Sequence, residues 1–230
     1  MSGDNHYTPN PTPYTLYGRR KGRKLRVQKA ELMQTLLPQI SIATGDEPLS
    51  PEKLFPNAKD VWLEIGFGGG EHLAAEAERN PQIGFIGCEP FVNGVASLVE
   101  LVHQKKLQNV RVHASDARPL LDRLTPSSIS CCFVLFADPW PKKRHAERRF
   151  ISPANLEKLA RIMKKGAELR LASDDPTLQA WMLEQMTATP FFTPQPGLLK
   201  EKPADWLPTR YEQKALRKKH VPFYYAYARK

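Results

Sequence analysis

The segment LEIGFGGGEH at residues 63–72 constrains this chain more than any other stretch, because an apolar run enters a cluster of glycines and leaves it as a helix-favouring sequence. Residues 61–65 are β-prone apart from Glu64, and residues 71–79 favour helix, so the glycines belong to a strand-to-helix turn. Glycine permits positive φ and close approach of a ligand to the backbone, and the helix that follows presents free N–H groups. Such a turn opens an α/β sheet and cradles a nucleotide-like ligand. A dinucleotide fingerprint would need a third small residue for helix packing. Here the glycines are Gly66, Gly68, Gly69 and Gly70, and that third position is Glu71. Glu64, just ahead of the turn, repels a pyrophosphate but suits a ligand bearing an ammonium or sulfonium charge. S-adenosylmethionine carries both.

From residue 61 onward apolar β-rich runs alternate with helical ones. This pattern predicts an α/β fold of Rossmann-like type: an open, mainly parallel sheet with helices on both faces. Strands are expected at 61–65, 83–88, 110–113, 131–136 and 169–172, with a last, antiparallel strand at 221–227. Val95, Leu98, Val99 and Val102 mark the inner face of one helix, and Leu156, Leu159, Ala160 and Met163 that of another. Ser152-Pro153 reads as an N-cap and first helical residue, and Gly166 as a helix stop. A further helix follows Pro176, with Leu178, Trp181 and Met182 inward. Residues 28–37 suit a short helix, and the proline-bearing stretch 38–57 a loop packed across the domain.

At 230 residues the chain can bury one sizeable core, so 29–230 is expected as a single domain. Residues 1–28, with Pro9, Pro11, Pro13 and the basic run RRKGRKLR at 19–26, read as a flexible basic arm. With 34 Lys and Arg against 24 Asp and Glu, the net charge of +10 favours a polyanionic partner. Cys88, Cys131 and Cys132 are odd in number and include an adjacent pair, which fits neither a disulfide framework nor a CxxC zinc pattern. A reducing, cytoplasmic compartment is expected. No apolar run is long enough to span a bilayer, and the basic start lacks a signal-peptide core.

In an open α/β sheet ligands bind beyond the carboxyl ends of the strands, and acids stand at four of those ends. Glu64 ends the first expected strand, Glu89 the second, Asp116 follows the third and Asp138 the fourth. Glu89 lies about 20 residues past Gly66, the distance at which an acid reaches ribose hydroxyls in nucleotide folds. Asp116 is placed to meet an adenine edge, with the Ala117 N–H beside it; it is equally placed to cap a helix from Arg118. The segment FADPWPKKRH at 136–145 releases Asp138 from a buried strand and stiffens the exit with two prolines around Trp140. Lys142, Lys143, Arg144, Arg148 and Arg149 follow, well placed for phosphates. His72, His113 and His145 show no metal-ligand spacing, so no metal is assigned. Ser173-Asp174-Asp175 ends the fifth strand as a pocket wall or a helix cap. Thr209-Arg210-Tyr211-Glu212 reads as a pocket rim or a surface turn.

On these motifs the chain resembles the bacterial tRNA (guanine-N7)-methyltransferases, S-adenosylmethionine-dependent enzymes of the class I methyltransferase fold that modify a variable-loop guanosine. The resemblance runs from Arg19 onward through LEIGFGGGEH, DPWPKKRH with Arg148-Arg149, Ser173-Asp174 and Thr209–Glu212. It implies cofactor binding by Glu64, Gly66, Gly68, Glu89, Asp116, Ala117 and Asp138, with Asp138 catalytic. It implies substrate contacts by Lys142, Asp174, Thr209, Arg210, Tyr211 and Glu212, and RNA contacts by Arg144, His145, Arg148 and Arg149. Ala137 stands where the family commonly has Pro, and Glu147 interrupts a segment usually more basic. The expected product cofactor is S-adenosylhomocysteine, the partner tRNA, and the assembly a monomer or weak homodimer. The alternatives are exocyclic-amine methylation of nucleic acid, and a non-catalytic RNA-binding protein on a relic cofactor fold.

Overall fold

The computed structural model describes residues 14–195, 202 and 207–230. The chain enters through α1 (Val27–Thr35), α2 (Leu37–Ile40) and α3 (Pro51–Leu54). It then alternates β1 (Asp60–Ile65), α4 (Glu71–Arg79), β2 (Ile83–Cys88), α5 (Val92–Lys105), β3 (Val110–His113), α6 (Ala117–Arg123) and β4 (Ile129–Leu135). After a 3-10 helix (Lys143–Arg148) come α7 (Pro153–Ile162), β5 (Met163–Ser173), α8 (Pro176–Ala188), β6 (Phe192–Pro194), α9 (Arg210–Arg217) and β7 (Phe223–Arg229).

Among the described residues the strands form one sheet in the order β3-β2-β1-β4-β5-β7-β6. All pairs from β3 to β5 are parallel, and β7 runs antiparallel to both β5 and β6. The chain builds outward from β1 through β2 to β3, then crosses back to lay β4 on the other side of β1. The crevice at that reversal is where such a sheet accepts a ligand. Helices cover both faces. Leu120, Leu121, Leu156, Leu159 and Met182 of α6–α8 pack with Leu63 and Leu169 on one face, and Leu73, Val95, Leu98 and Val102 of α4 and α5 pack with Phe85 and Val110 on the other. Strands covered on both faces read as nearly continuous apolar runs, as β2 does, buried along its whole length.

The elements differ from the sequence expectation in several places: β4 runs Ile129–Leu135 against an expected 131–136, and β7 Phe223–Arg229 against 221–227. β5 starts at Met163, directly after α7, because Met163 pairs with Ile129 before the register shifts to Cys131 opposite Glu168. Gly166 therefore sits at φ +78 within that strand rather than ending a helix. β6 pairs with the end of β7, although three residues that include a proline carry little pattern of their own. The 38–57 stretch, expected as a loop, carries the end of α2 and all of α3 and is anchored by single bridges from Ser41 to Val112 and Leu49 to Leu124.

Part of the basic arm is seated on the domain. Val92 N–H donates to Arg20 O (2.9 Å), Gly22 N–H to Asn93 Oδ1 (2.7 Å), and Asn93 Nδ2 to Arg23 O (2.7 Å). Upstream, Tyr14 OH donates to Asp122 (2.6 Å), and the Arg118 guanidinium lies 4.7 Å over the Tyr14 ring. Residues 1–13 of the expected arm lie outside the described residues. No helix among the described residues is long and apolar enough to cross a membrane.

Candidate active site

Gly66, Gly68 and Gly70 take φ of +74, +58 and +78, conformations that a residue with Cβ adopts at a cost. The turn is also crowded. A Cβ on Gly94 of α5 would stand 2.2 Å from Gly68 O, and one on Gly68 would stand 2.8 Å from the Tyr211 ring of α9. Beside this turn, at the carboxyl edge of the sheet, lies a cavity of about 390 Å³. Its wall includes Gly66, Gly68, Glu89, Asp116, Ala117 and Asp138, so these residues are brought together. Tyr17, Trp140 and Tyr211 complete its rim.

The four acids have different surroundings. Glu89 is buried and accepts N–H donors from Gly68 (2.8 Å) and Phe91 (2.9 Å). Burial pushes its carboxyl above the ordinary value, the two N–H donors oppose that, and the negative charges of Asp138 and Glu64 add to it. Asp116 caps α6 by accepting the Arg118 N–H (2.9 Å), and both its oxygens also take the Arg118 guanidinium. The capping geometry is thus realised, in a residue that also lines the cavity. Glu64 is buried below the turn and shares Oε2 with His72 Nδ1 at 2.8 Å. It opens not into the main cavity but into a small pocket shared with Gly66, His72 and Tyr211. Asp138 alone is exposed.

Asp138 stands between two non-glycine residues in the left-handed region, Phe136 at φ +53 and Trp140 at φ +43. Each such conformation costs about 1–3 kcal/mol and persists only where the surroundings enforce it. Phe136 N–H is held by Ala172 O at 2.8 Å. Arg149 holds the other side, Nε donating to Pro139 O (3.1 Å) and a terminal nitrogen to Trp140 O (3.0 Å). Its guanidinium rests 4.8 Å over the Trp181 ring.

This corrects the sequence reading of Arg149 as an RNA contact: it is 6% exposed and spends its charge on the backbone that carries Asp138. Arg148 is also engaged, lying 4.3 Å over Tyr17 and 5.1 Å over Trp140. Lys142, Lys143 and Arg144 are exposed. His145 sets its ring edge-on to Trp140, and desolvation together with the Arg148, Arg144 and Lys142 charges holds it below its ordinary value.

Residues 209–212 start α9, and Thr209, Arg210 and Tyr211 border the small pocket of Glu64. Thr209 and Glu212 are buried and form a capping box: Thr209 Oγ1 accepts the Glu212 N–H (2.9 Å) and Glu212 accepts the Thr209 N–H (3.2 Å). Glu212 also takes Lys202 at 3.2 Å. These two build the start of α9, which leaves Arg210 and Tyr211 as the exposed members. Asp174 does not line the main cavity; it pairs with His220 at 3.2 Å, while its neighbour Asp175 caps α8. Sequence reasoning missed the part of Leu16, Tyr17 and Arg118 in the cavity wall. A signal was available, since Tyr14, Leu16 and Tyr17 are unusual in a segment otherwise read as a flexible basic arm.

Comparison with known proteins follows the same outline. Residues 58–224 match a family model described as "Putative methyltransferase". The chain is 49% identical over 220 residues to a tRNA (guanine-N(7)-)-methyltransferase of Paramagnetospirillum magneticum, covering 93% of this chain and 92% of that one. It is 44% identical over 238 residues to the protein of the same name in Paracoccus denitrificans, covering 98% and 99%. Among solved structures it is similar to the 16S rRNA methyltransferase KamB, with a TM-score of 0.55 and 17% identity over 77% of this chain and 91% of that one. An rRNA methylase from Streptococcus thermophilus gives a TM-score of 0.52 at 14% identity, covering 75% and 88%. At those identities the structural likeness speaks for the fold.

Proposed function

The chain belongs to the tRNA (guanine-N7)-methyltransferase family, and from that premise we propose that it moves a methyl group from S-adenosylmethionine to N7 of a variable-loop guanosine in tRNA. The observation that carries the reading is the meeting, in one cavity, of the glycine turn, the buried Glu89 and the exposed Asp138 on its constrained backbone.

The residues fit this cofactor. Gly66 and Gly68 leave the floor of the cavity free of side chains, so a ligand can lie against the backbone. Glu89, fixed by two N–H donors, keeps lone pairs for ribose hydroxyls. Asp116 and the Ala117 N–H would take the adenine edge, and Glu64, from the small pocket that adjoins the main cavity at Gly66 and Tyr211, would take the ammonium. Bound there, the cofactor supplies a methyl group made electrophilic by its sulfonium.

Guanine N7 holds an in-plane lone pair that the aromatic system does not use, so the nucleophile needs no deprotonation. The work left to the protein is orientation and charge. Asp138, by accepting guanine N–H donors, would set N7 in line with the methyl–sulfur bond and offset the positive charge that develops on the alkylated ring. Phe136 and Trp140, held in strained conformations, aim that carboxylate. Lys142, Lys143 and Arg144 would hold tRNA phosphates, and Arg210 and Tyr211 would close the opposite wall. Asp174 would meet the substrate from the end of β5. The site of action is the cytoplasm, where tRNA is matured.

The test is incubation with unmodified tRNA and methyl-labelled cofactor, followed by nucleoside mapping. Label in N7-methylguanosine supports the proposal. Label only in N6-methyladenosine or N2-methylguanosine would transfer the site to exocyclic-amine chemistry. Failure to bind cofactor in calorimetry would leave an RNA-binding protein.

A further inference from the structure

Behind the glycine turn lies a buried chain of charges that methyl transfer itself does not call on. His72, at the start of α4, is 4% exposed, and its Nδ1 lies 2.8 Å from Glu64 Oε2. Its other ring nitrogen faces Glu76 Oε1 at 3.9 Å, and that oxygen is buried with no hydrogen-bond partner. The second Glu76 oxygen accepts Asn80 Nδ2 at 3.1 Å. The imidazole thus stands between two carboxylates, and the first of them is the acid assigned above to the cofactor ammonium.

We propose that His72 is a counter-charge held in reserve: its proton and the cofactor's ammonium compete for the Glu64 carboxylate, so cofactor binding expels a proton from the protein. The inference rests on the cofactor reading given above. In the free protein the protonated imidazole, held 2.8 Å from Glu64 Oε2, is the counter-charge to that carboxylate on this proposal. When a second cation reaches the same carboxylate, His72 faces added positive charge at close range. It then releases the Nε2 proton to solvent and stays as the neutral tautomer, with Nδ1–H still donating to Glu64. No proton is taken from the cofactor, and His72 touches no reacting atom; it is a positioning residue for Glu64.

The surroundings support the direction. Burial pulls the imidazole down, but Glu64, by charge and hydrogen bond, and Glu76 behind it hold it above its ordinary value. Arg170 of β5, engaged by Glu168 and lying 5.4 Å from the Phe133 ring centre, opposes them. Arg210 and Glu71 border the small pocket that Glu64 and His72 share. The two carboxylates thus hold the His72 proton more firmly than a free imidazole would, and an α-ammonium group keeps its own proton over the same range. Release on binding then makes affinity rise with pH, since the group that leaves is more weakly held in the complex.

The experiment is calorimetry of the full chain with S-adenosylhomocysteine at about pH 6.5, in buffers of differing ionisation enthalpy. Methylthioadenosine, which lacks the ammonium, serves as control. The wild type is expected to release a measurable fraction of a proton with S-adenosylhomocysteine and none with methylthioadenosine. Its dissociation constant for the former should fall up to tenfold per pH unit, over the range in which His72 titrates. His72→Asn, which keeps a neutral donor near the Nδ1 position, should abolish both the release and the slope. Equal release with the two ligands, no release in wild type, or unchanged release in a folded His72→Asn overturns the proposal. If the variant does not fold, the wild-type contrast between ligands decides alone. Failure of the wild type to bind S-adenosylhomocysteine at all would instead strike the cofactor reading.

Discussion

Two loops meet in the cavity, one leaving β1 and the other leaving the adjacent parallel strand β4, and they solve the same problem of chain reversal in opposite ways. After β1 the left-handed conformations fall on glycines, and the nearby acids Glu64 and Glu89 are buried with hydrogen-bond donors already in place. After β4 they fall on Phe136 and Trp140, which carry the cost of their side chains, and the acid between them is open. The first loop is a relaxed cradle and the second a strained arm. A ligand held in both ground and transition states needs only the cradle. A group that must be aimed at a charge appearing during reaction gains from the arm, whose strain is met by Arg149 and the sheet.

The contrast breaks most sharply at Asp138. Replacing it with Ala should lower the single-turnover rate of methyl transfer by about 10²–10³, the range for losing one electrostatic stabiliser, while the melting temperature stays near wild type because the side chain is exposed. A rate within threefold of wild type would remove Asp138 from the chemistry. Glu89→Gln should do the reverse. The variant turns an amide donor against the Gly68 or Phe91 N–H, at a cost of about 1–3 kcal/mol in stability. It should weaken cofactor binding about tenfold with kcat nearly unchanged, since a ribose contact is uniform binding. Chemical denaturation and cofactor titration check both halves, and a lowered kcat with intact affinity would refute the division of labour.

Arg149 and Arg144 sharpen the comparison within the basic segment. Arg149→Ala should cost about 2 kcal/mol of stability, as expected for lost hydrogen bonds from a buried charged group, and slow transfer by releasing the Asp138 backbone. Its tRNA affinity should keep the wild-type dependence on salt. Arg144→Ala, at an exposed position, should leave stability and cofactor affinity alone. It should reduce the slope of log tRNA affinity against log salt by about one unit, the smallest of these effects. Filter-binding titrations across salt concentrations separate the two, and a reduced slope in Arg149→Ala would return that residue to the RNA surface.

Much of the frame was legible in the chain itself. The β2 and β3 bounds and the Ser152-Pro153 helix start match the reading from residue pattern, because apolar runs and caps are local signals. The acids at the strand ends were legible for the same reason, and most of the cavity wall with them. Thr209 and Glu212 carry a capping box that the sequence reading did not name, and Thr209 borders the small pocket as well, because a cap and a pocket rim use the same residue types. Arg149 was misread because one arginine in a basic run looks like the next until a carbonyl is found beside it.

What the sequence determined by itself was the order of strand and helix, the glycines at positive φ and the acids they deliver to one edge, all consequences of contacts within a few residues. Only the tertiary structure decided which charges were already spent. His72 on Glu64 and Arg149 on Pro139 and Trp140 are neighbours by packing, as are Tyr14 to Asp122 and Tyr17 to Trp140 across the folded chain. A charge taken out of water must find a partner wherever the fold supplies one, and that choice is made in space rather than along the chain.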